Sequence, residues 1–486
     1  MPPNLESSSP DDAPVVVLGA GPAGLAAAWE LVDRGVPVVI VERNGSVGGL
    51  CATAEHGGFR FDLGGHRILK RRSGLVRRLR TLLGDDLIER ERQSVILWRN
   101  RRLRYPLAAW DIATQLPAGM SIRALRDLAV ARTRRAVRTR PDVSFRDWTT
   151  ARFGQTLYDS FFGPYTEKLW GVRDTELSAD WASQRISSLN LADLWRGWRA
   201  SRTPRTHSRM FLYPRLGIGQ LFDQIATHVA ANGAKMLLGA TVHGFGERTP
   251  SGRVTRVDVT LADGMPLSLP CRAVISTIAL QTLVQFLAPG EPEIASASAR
   301  LRHRGLRFVN LALRGESWLG ATWAYVADGD LATTRVQEPR RRSPEMAPPG
   351  CGSLMLEIPF SPGDRIAQMS DANLVEFGVG ELRGLGIDLA GHVLASYTAA
   401  AQDAYPIYSL DYAAARARLL DAVGAPGNVW SVGRQGLFRY VFMDTAMEMG
   451  IAAASALANR STPDHDALLT MDNNPSLQEV QDSHAD

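Results

Sequence analysis

Cysteine is almost missing from this chain: Cys51, Cys271 and Cys351 are its three in 486 residues, and they lie far apart without metal-ligand spacing. That excludes a disulfide framework and a cysteine-built zinc site, and it fits a reducing compartment. Lysine is as scarce. Lys70, Lys168 and Lys235 are the whole set, so the formal net charge of +5 rests on arginine. The basic stretches Arg123 to Arg140 and Arg340 to Arg342 read as solvated helix faces and loops, and no nucleic-acid motif accompanies them. No unbroken apolar run reaches the ~18 residues that a membrane span needs. Met1 to Ala13 is rich in Pro, Ser and Asp and lacks the basic-then-apolar layout of a secretory signal, so it reads as a disordered leader and a cytoplasmic location is expected. Neither a Gly-x-Ser-x-Gly elbow nor a His-Glu-x-x-His helix occurs. Gly217 and Gly219 have the wrong spacing and are read as following no buried strand, so no second dinucleotide site is expected there.

What is present begins at Val15. Val15 to Leu18 is an apolar run of buried-strand type, and Leu25 to Val32 carries strong helix formers with no Pro or Gly inside. Val36 to Val41 is a second strand with Pro37 near its start and Glu42 at its carboxyl end. Between strand and helix lies Gly19-Ala-Gly21-Pro-Ala-Gly24. This order, strand, glycine turn, helix, strand, acid, is that of a nucleotide-binding βαβ unit. The glycines allow a tight turn and a close approach to a diphosphate at the helix amino end, and Glu42 is placed to accept from a ribose.

Further along, residues 71–204 are rich in Arg, Leu, Ala and Trp and read as a mainly helical insertion. Runs such as Lys235 to Leu238, Arg253 to Leu261 and Ala273 to Ser276 would rejoin the first domain. Segments such as Leu306 to Leu313 and Ser353 to Ile358 suggest an antiparallel sheet carrying substrate over residues 300–424. Val429 to Val432 and Met447 to Leu457 look like a last strand and helix of the first domain. The expected fold is α/β: a doubly wound, discontinuous cofactor domain (14–70, 205–299 and 425–458), the helical insertion, and the sheet domain, with disordered tails at 1–13 and 459–486.

Val47-Gly48-Gly49-Leu-Cys-Ala-Thr53 and Phe61-Asp-Leu-Gly-Gly-His66-Arg67 resemble the FAD-binding amine oxidase and protoporphyrinogen oxidase superfamily. Tyr165-Thr-Glu-Lys168-Leu-Trp170-Gly171 and Gly433-Arg434-Gln-Gly436-Leu-Phe438-Arg439-Tyr440 are similar to segments of its UDP-galactopyranose mutase branch. Thr334-Arg335-Val-Gln-Glu338 and Leu301-Arg-His-Arg304-Gly-Leu306-Arg-Phe308 add weaker matches.

The resemblance implies FAD as cofactor, held by Gly19, Gly21, Gly24, Glu42, Arg43, Gly48, Gly49, Val242, Arg434, Met443 and Asp444. It places His66 beside the reactive face of the flavin. Tyr165, Trp170 and Arg335 would line the substrate cleft, Tyr440 would lie near a bound diphosphate, and Arg304 would be one of two arginines clamping it. The second clamp position falls in Arg185-Ile-Ser-Ser-Leu189 and holds a leucine. Taken alone, the same residues have plainer readings: His66 a structural group, Tyr165 and Trp170 core aromatics, Cys51 a small packed side chain, Arg304 part of a solvated basic face.

Three functions follow. The first is an FAD-dependent oxidoreductase, in which flavin N5 accepts a hydride from a small molecule such as a nucleotide sugar or lipid-linked metabolite. The second is a reduced-flavin pyranose/furanose mutase of nucleotide sugars. The third is a flavin-binding protein without turnover, held at a membrane surface by Arg123 to Arg140. Loss of one clamp arginine, a contact of roughly 1.5–3 kcal/mol, ranks the oxidoreductase first.

Overall fold

A computed structural model describes residues 12–70, 72–99, 101–105, 112, 114–137, 141–186 and 210–473. Most of the expected leader, residues 138–140 of the basic stretch, the Ser187–Leu189 part of the clamp segment and residues 474–486 of the expected tail lie outside them.

Val15–Leu18 is the middle strand of a five-stranded sheet, flanked on one side by Val38–Glu42 and Lys235–Leu238 and on the other by Ala273–Ser276 and Val429–Ser431. Every pairing is parallel. Burial on both faces is what an all-apolar run such as Val-Val-Val-Leu requires, and its four residues are fully buried. Because the chain leaves the middle strand in one direction and later returns on the other side, the order reverses at its carboxyl end, where doubly wound sheets bind ligands.

The first helix, Pro22–Asp33, starts with Pro at its first position, where the missing N–H costs nothing. Its alanine-rich face packs against the late helix Met443–Ala458. Glycine permits that approach, since a Cβ on Gly450 would stand 2.0 Å from the carbonyl oxygen of Ala23. The chain thus closes on its own beginning.

A seven-stranded sheet runs in the order Val393–Pro406, His303–Arg314, Cys351–Phe360, Arg335–Gln337, Trp323–Val326, Ser94–Trp98 and Arg101–Arg104. Two of these strands come from the segment expected to be mainly helical. The difference has a local reason: Ser94–Trp98 and Arg101–Arg104 form a hairpin whose inner strand pairs in parallel with Trp323–Val326, so β-branched and aromatic residues at 95–98 find a sheet edge to join. Helices Ala118–Val137, Phe145–Phe153, Gly163–Trp170 and Ala179–Ile186 follow. Arg256–Thr260 sits not in the parallel sheet but in a three-stranded antiparallel sheet with Thr241–Phe245 and Pro266–Pro270.

The expected tail from 459 also differs over its described part, since His465–Thr470 is helical and docked. The buried guanidinium of Arg439 donates to the carbonyls of Leu468 and Met471, and the Ser431 amide donates to His465 Nε2. Among the described residues no helix is long and apolar enough to cross a membrane.

Candidate active site

Two glycine turns meet at the switch point. Gly19 takes φ +97°, and a Cβ on Gly24 would lie 1.9 Å from the Gly19 carbonyl oxygen, so only glycine lets the first helix start this close to the strand. The Gly48 amide donates to the Ala20 carbonyl at 2.9 Å, and a Cβ on Gly49 would come within 3.3 Å of Gly21 Cα. Gly21 itself faces open space, with nothing within 4 Å of where its Cβ would stand. The first helix has no side-chain cap, which leaves its leading N–H groups for an anion. Glu42 is buried, and its two carboxylate oxygens accept from the amides of Ala20 at 2.7 Å and Asn44 at 2.8 Å. Each oxygen keeps a lone pair for a ribose hydroxyl. This cradle, a bare glycine, uncapped amides and a fixed acid, fits the diphosphate and ribose of a dinucleotide. Arg43 beside it is exposed, and Val242 is half-buried two residues after Ala240, whose amide donates to the Glu42 carbonyl.

From the cradle the chain runs to a cavity of about 950 Å³, counting the space open to solvent. One wall is the Gly64–Arg67 loop. His303–Arg314 contributes Leu306 and Phe308, and the neighbouring hairpin contributes Trp323, Tyr325 and Arg335. Each pair at i and i+2 shares one face of its strand. Tyr405, Arg434, Tyr440, Phe442, Met443 and Asp444 close the far side. Of the expected residues, the structure therefore gathers His66, Arg335, Arg434, Tyr440, Met443 and Asp444 around one space.

His66 is fixed in one tautomer. Its Nε2 lies 3.1 Å from the Leu63 carbonyl, which can only accept, so Nε2 carries the proton. Nδ1 is then the acceptor for the Cys51 thiol at 3.6 Å. Burial pushes the Cys51 thiol up to about 12 and His66 down to about 4, the nearby Asp62 opposing the latter shift. Both groups are neutral at pH 7.

Arg434 reaches across the far wall. Its guanidinium donates to the carbonyls of Ala404 at 3.1 Å and Val441 at 2.8 Å and lies 4.8 Å from the Tyr440 ring centroid and 5.7 Å from that of Tyr405. Arg335 pairs with Glu357 at 3.2 Å, and Gln337 donates to the same carboxylate oxygen. Burial opposes the Arg335 charge, but the Glu357 carboxylate overrides it and holds the group well above its ordinary pKa. Asp444, in the first turn of its helix, accepts from the Thr445 amide and lies 3.5 Å from Arg72.

The remaining expected residues stand elsewhere. Arg304 does not face the cavity: its guanidinium donates to the carbonyls of Leu169 and Lys168 and to Ser361 Oγ, and it lies 3.5 Å from Asp364. A clamp on a diphosphate is not what this fork of donors is doing. Trp170 is buried behind the wall, edge-on to Trp181 at 4.5 Å and tilted against Tyr405 at 5.8 Å. Tyr165 touches Tyr325 edge-on, with ring centroids 6.3 Å apart, and so supports the hairpin. Trp323, Tyr325, Tyr405 and Phe442 are lining residues that sequence reasoning missed. For Trp323 and Tyr325 the signal was there, as aromatics alternating along one strand.

A protein family model, flavin containing amine oxidoreductase, matches residues 22–458. A coproporphyrinogen III oxidase of Propionibacterium freudenreichii is 26% identical over 347 residues, which is 61% of this chain and 63% of that protein. The match thus spans less than two thirds of that relative's own length. Among solved structures, reduced UDP-galactopyranose mutase superposes with a TM-score of 0.78 at 22% identity, covering 94% of this chain and 97% of the other. Putrescine oxidase bound to putrescine superposes with a TM-score of 0.64 at 17% identity, covering 92% of this chain and 99% of the other. At these identities the likeness is one of fold. With 437 residues inside the family model (22 to 458 inclusive), the chain belongs to the flavin-containing amine oxidoreductases, and FAD is its cofactor.

Proposed function

We propose that this protein is an FAD-dependent oxidoreductase that removes a hydride from an anionic, planar or unsaturated small molecule held in the Trp323–Tyr440 cavity. The observation that carries the reading is the cation Arg434 in the cavity wall, where Arg335 is already paired with Glu357 and Asp444 lies beside Arg72. Arg434 has no carboxylate partner among the described residues and is balanced by carbonyl dipoles and two ring faces. At an effective dielectric near 20, a substrate ammonium ~6 Å from such a group is repelled by about 3 kcal/mol, and a carboxylate or phosphate is attracted by as much. An amine, despite the family's description, is the poorer fit.

When bound, FAD supplies the hydride acceptor. The chain's residues do the rest. Phe308, Trp323, Tyr325, Tyr405 and Tyr440 offer faces to a flat substrate, Leu306, Ala401 and Ala404 keep water out, and the guanidinium groups set its orientation. His66 spends its N–H on Leu63 and its lone pair on Cys51, so it shapes the loop and does not carry the substrate's proton. The substrate loses a hydride from carbon and a proton from the neighbouring atom, and an external acceptor such as dioxygen takes the electron pair onward.

The test uses yellow, FAD-loaded protein titrated with pyrophosphate, benzoate, putrescine and benzylamine while the flavin absorbance is followed. Anions are expected to perturb the flavin band and amines to leave it unchanged; bleaching by an amine with no response to anions overturns the substrate class. Colourless protein that cannot be reconstituted overturns the flavin reading itself. The fold likeness to reduced UDP-galactopyranose mutase favours one alternative, mutase chemistry. Furanose product from dithionite-reduced protein and a UDP-hexopyranose would establish it, although the engagement of Arg304 with Lys168, Leu169 and Asp364 argues against it.

A further inference from the structure

Lys168 belongs to a motif singled out in the sequence, yet neither cofactor nor substrate accounts for it. It lies on helix Gly163–Trp170, three residues after Tyr165. Its ammonium donates to three backbone carbonyls, Val326 and Asp328 at 2.8 Å and Thr333 at 3.0 Å. Three donors meet three acceptors, so its hydrogen-bonding capacity is filled. All three carbonyls lie at or inside the turn joining Trp323–Val326 to Arg335–Gln337, the hairpin that brings Trp323, Tyr325 and Arg335 to the cavity. From the other side Glu381 accepts from the amides of Ala332 at 3.1 Å and Thr333 at 2.7 Å. The helix is anchored in turn by Arg304, which holds the carbonyls of Lys168 and Leu169.

We infer that Lys168 is a positioning residue that clasps the Tyr165 helix to the hairpin and thereby fixes Tyr325 and Arg335 in the cavity wall. Its link to substrate rests on the function proposed above, whereas the clasp itself does not. Lysine suits the task because a compact ammonium can serve three diverging carbonyls, which a planar guanidinium cannot reach in the same way. Asp328 and Glu381 are the acidic groups facing it, and across the helix end stand Arg304 and Asp364. Burial brings Lys168 down to about 8 against the pull of Glu381 and Asp328, so the clasp is charged at pH 7 and is weakened, by the loss of its charge and of one of its three donors, as the pH rises past that value.

Hydrogen exchange on the FAD-loaded protein, corrected for the intrinsic pH dependence of exchange, tests this in wild type, Lys168→Met and Lys168→Arg. In wild type, protection of residues 323–337 is expected to fall between pH 7 and pH 9. In Lys168→Met it is lost by about tenfold at both pH values, the effect of one charge-assisted hydrogen bond or more. Lys168→Arg stays charged, so its protection, whatever its level, does not change with pH. Pyrophosphate, read by the flavin band, is expected to bind Lys168→Met about tenfold more weakly. Equal protection in wild type and Lys168→Met overturns the clasp, as does a loss spread evenly into strand Val15–Leu18, which would mark general destabilisation. If pyrophosphate fails to bind wild type, the substrate class falls and the exchange result still decides the clasp.

Discussion

At the scale of the residue, the site is governed by groups whose partners settle their charge. His66 is the clearest. Its pKa of about 4 in the folded chain lies below the ordinary 6.5, so between those values the unfolded chain binds more protons. The contribution of His66 is therefore complete above pH 6.5 and is lost as the pH falls toward 4. Thermal melts across this range are expected to show a smaller acid-side loss in His66→Gln than in wild type; equal losses would place the acid sensitivity in other groups, such as His303 or His465. The same scale separates what the sequence reveals from what it hides. Gly24 and Glu42 are legible because backbone geometry within one βαβ unit dictates them. Arg304 is not, because its guanidinium turns toward carbonyls 135 and 136 residues away in the chain, and nothing near position 304 announces them.

At the scale of the element, the informative parts are those that join distant stretches of chain. Strand Ser94–Trp98 becomes part of a sheet because Trp323–Val326 offers it an edge, and helix His465–Thr470 is ordered because buried donors need acceptors. A composition-based reading sees an arginine-rich insertion and a polar tail in those places, since neither partner is local. The C-terminal element can be tested directly. Deleting residues 460–486 strips acceptors from Arg439, Ser431, Phe442 and Thr445, all bound at 3.2 Å or less. With roughly 1–3 kcal/mol for each buried group left unpaired, the truncated protein is expected to unfold at clearly lower urea concentration and to lose FAD, because Phe442 and Met443 line the cavity. An unchanged urea midpoint and full flavin content would show the segment to be dispensable.

At the scale of the whole molecule, the parallel sheet draws strands from residues 15–18, 38–42, 235–238, 273–276 and 429–431, so no contiguous half of the chain contains it. The cofactor cradle, the cavity and the seven-stranded sheet share walls, and they should melt together. Free FAD at about a hundred times its dissociation constant adds roughly 2.7 kcal/mol to such a unit. Calorimetry is expected to show one transition that moves upward with FAD concentration. Two transitions, with one insensitive to FAD, would mean that the sheet domain folds independently of the cofactor.

The closing of the chain on its own beginning also has a consequence for biosynthesis. The glycine turn of residues 19–24 is synthesised long before Arg434, Tyr440, Met443 and Asp444, which complete the cavity. Nor can Gly450 pack beneath Ala23 until its own helix has emerged. Until those residues emerge, a nascent chain carries an incomplete flavin site, with apolar strands exposed. Stable retention of FAD is therefore expected only once residues through Gly450 have emerged, and chains left without it are the ones exposed to chaperones and proteases.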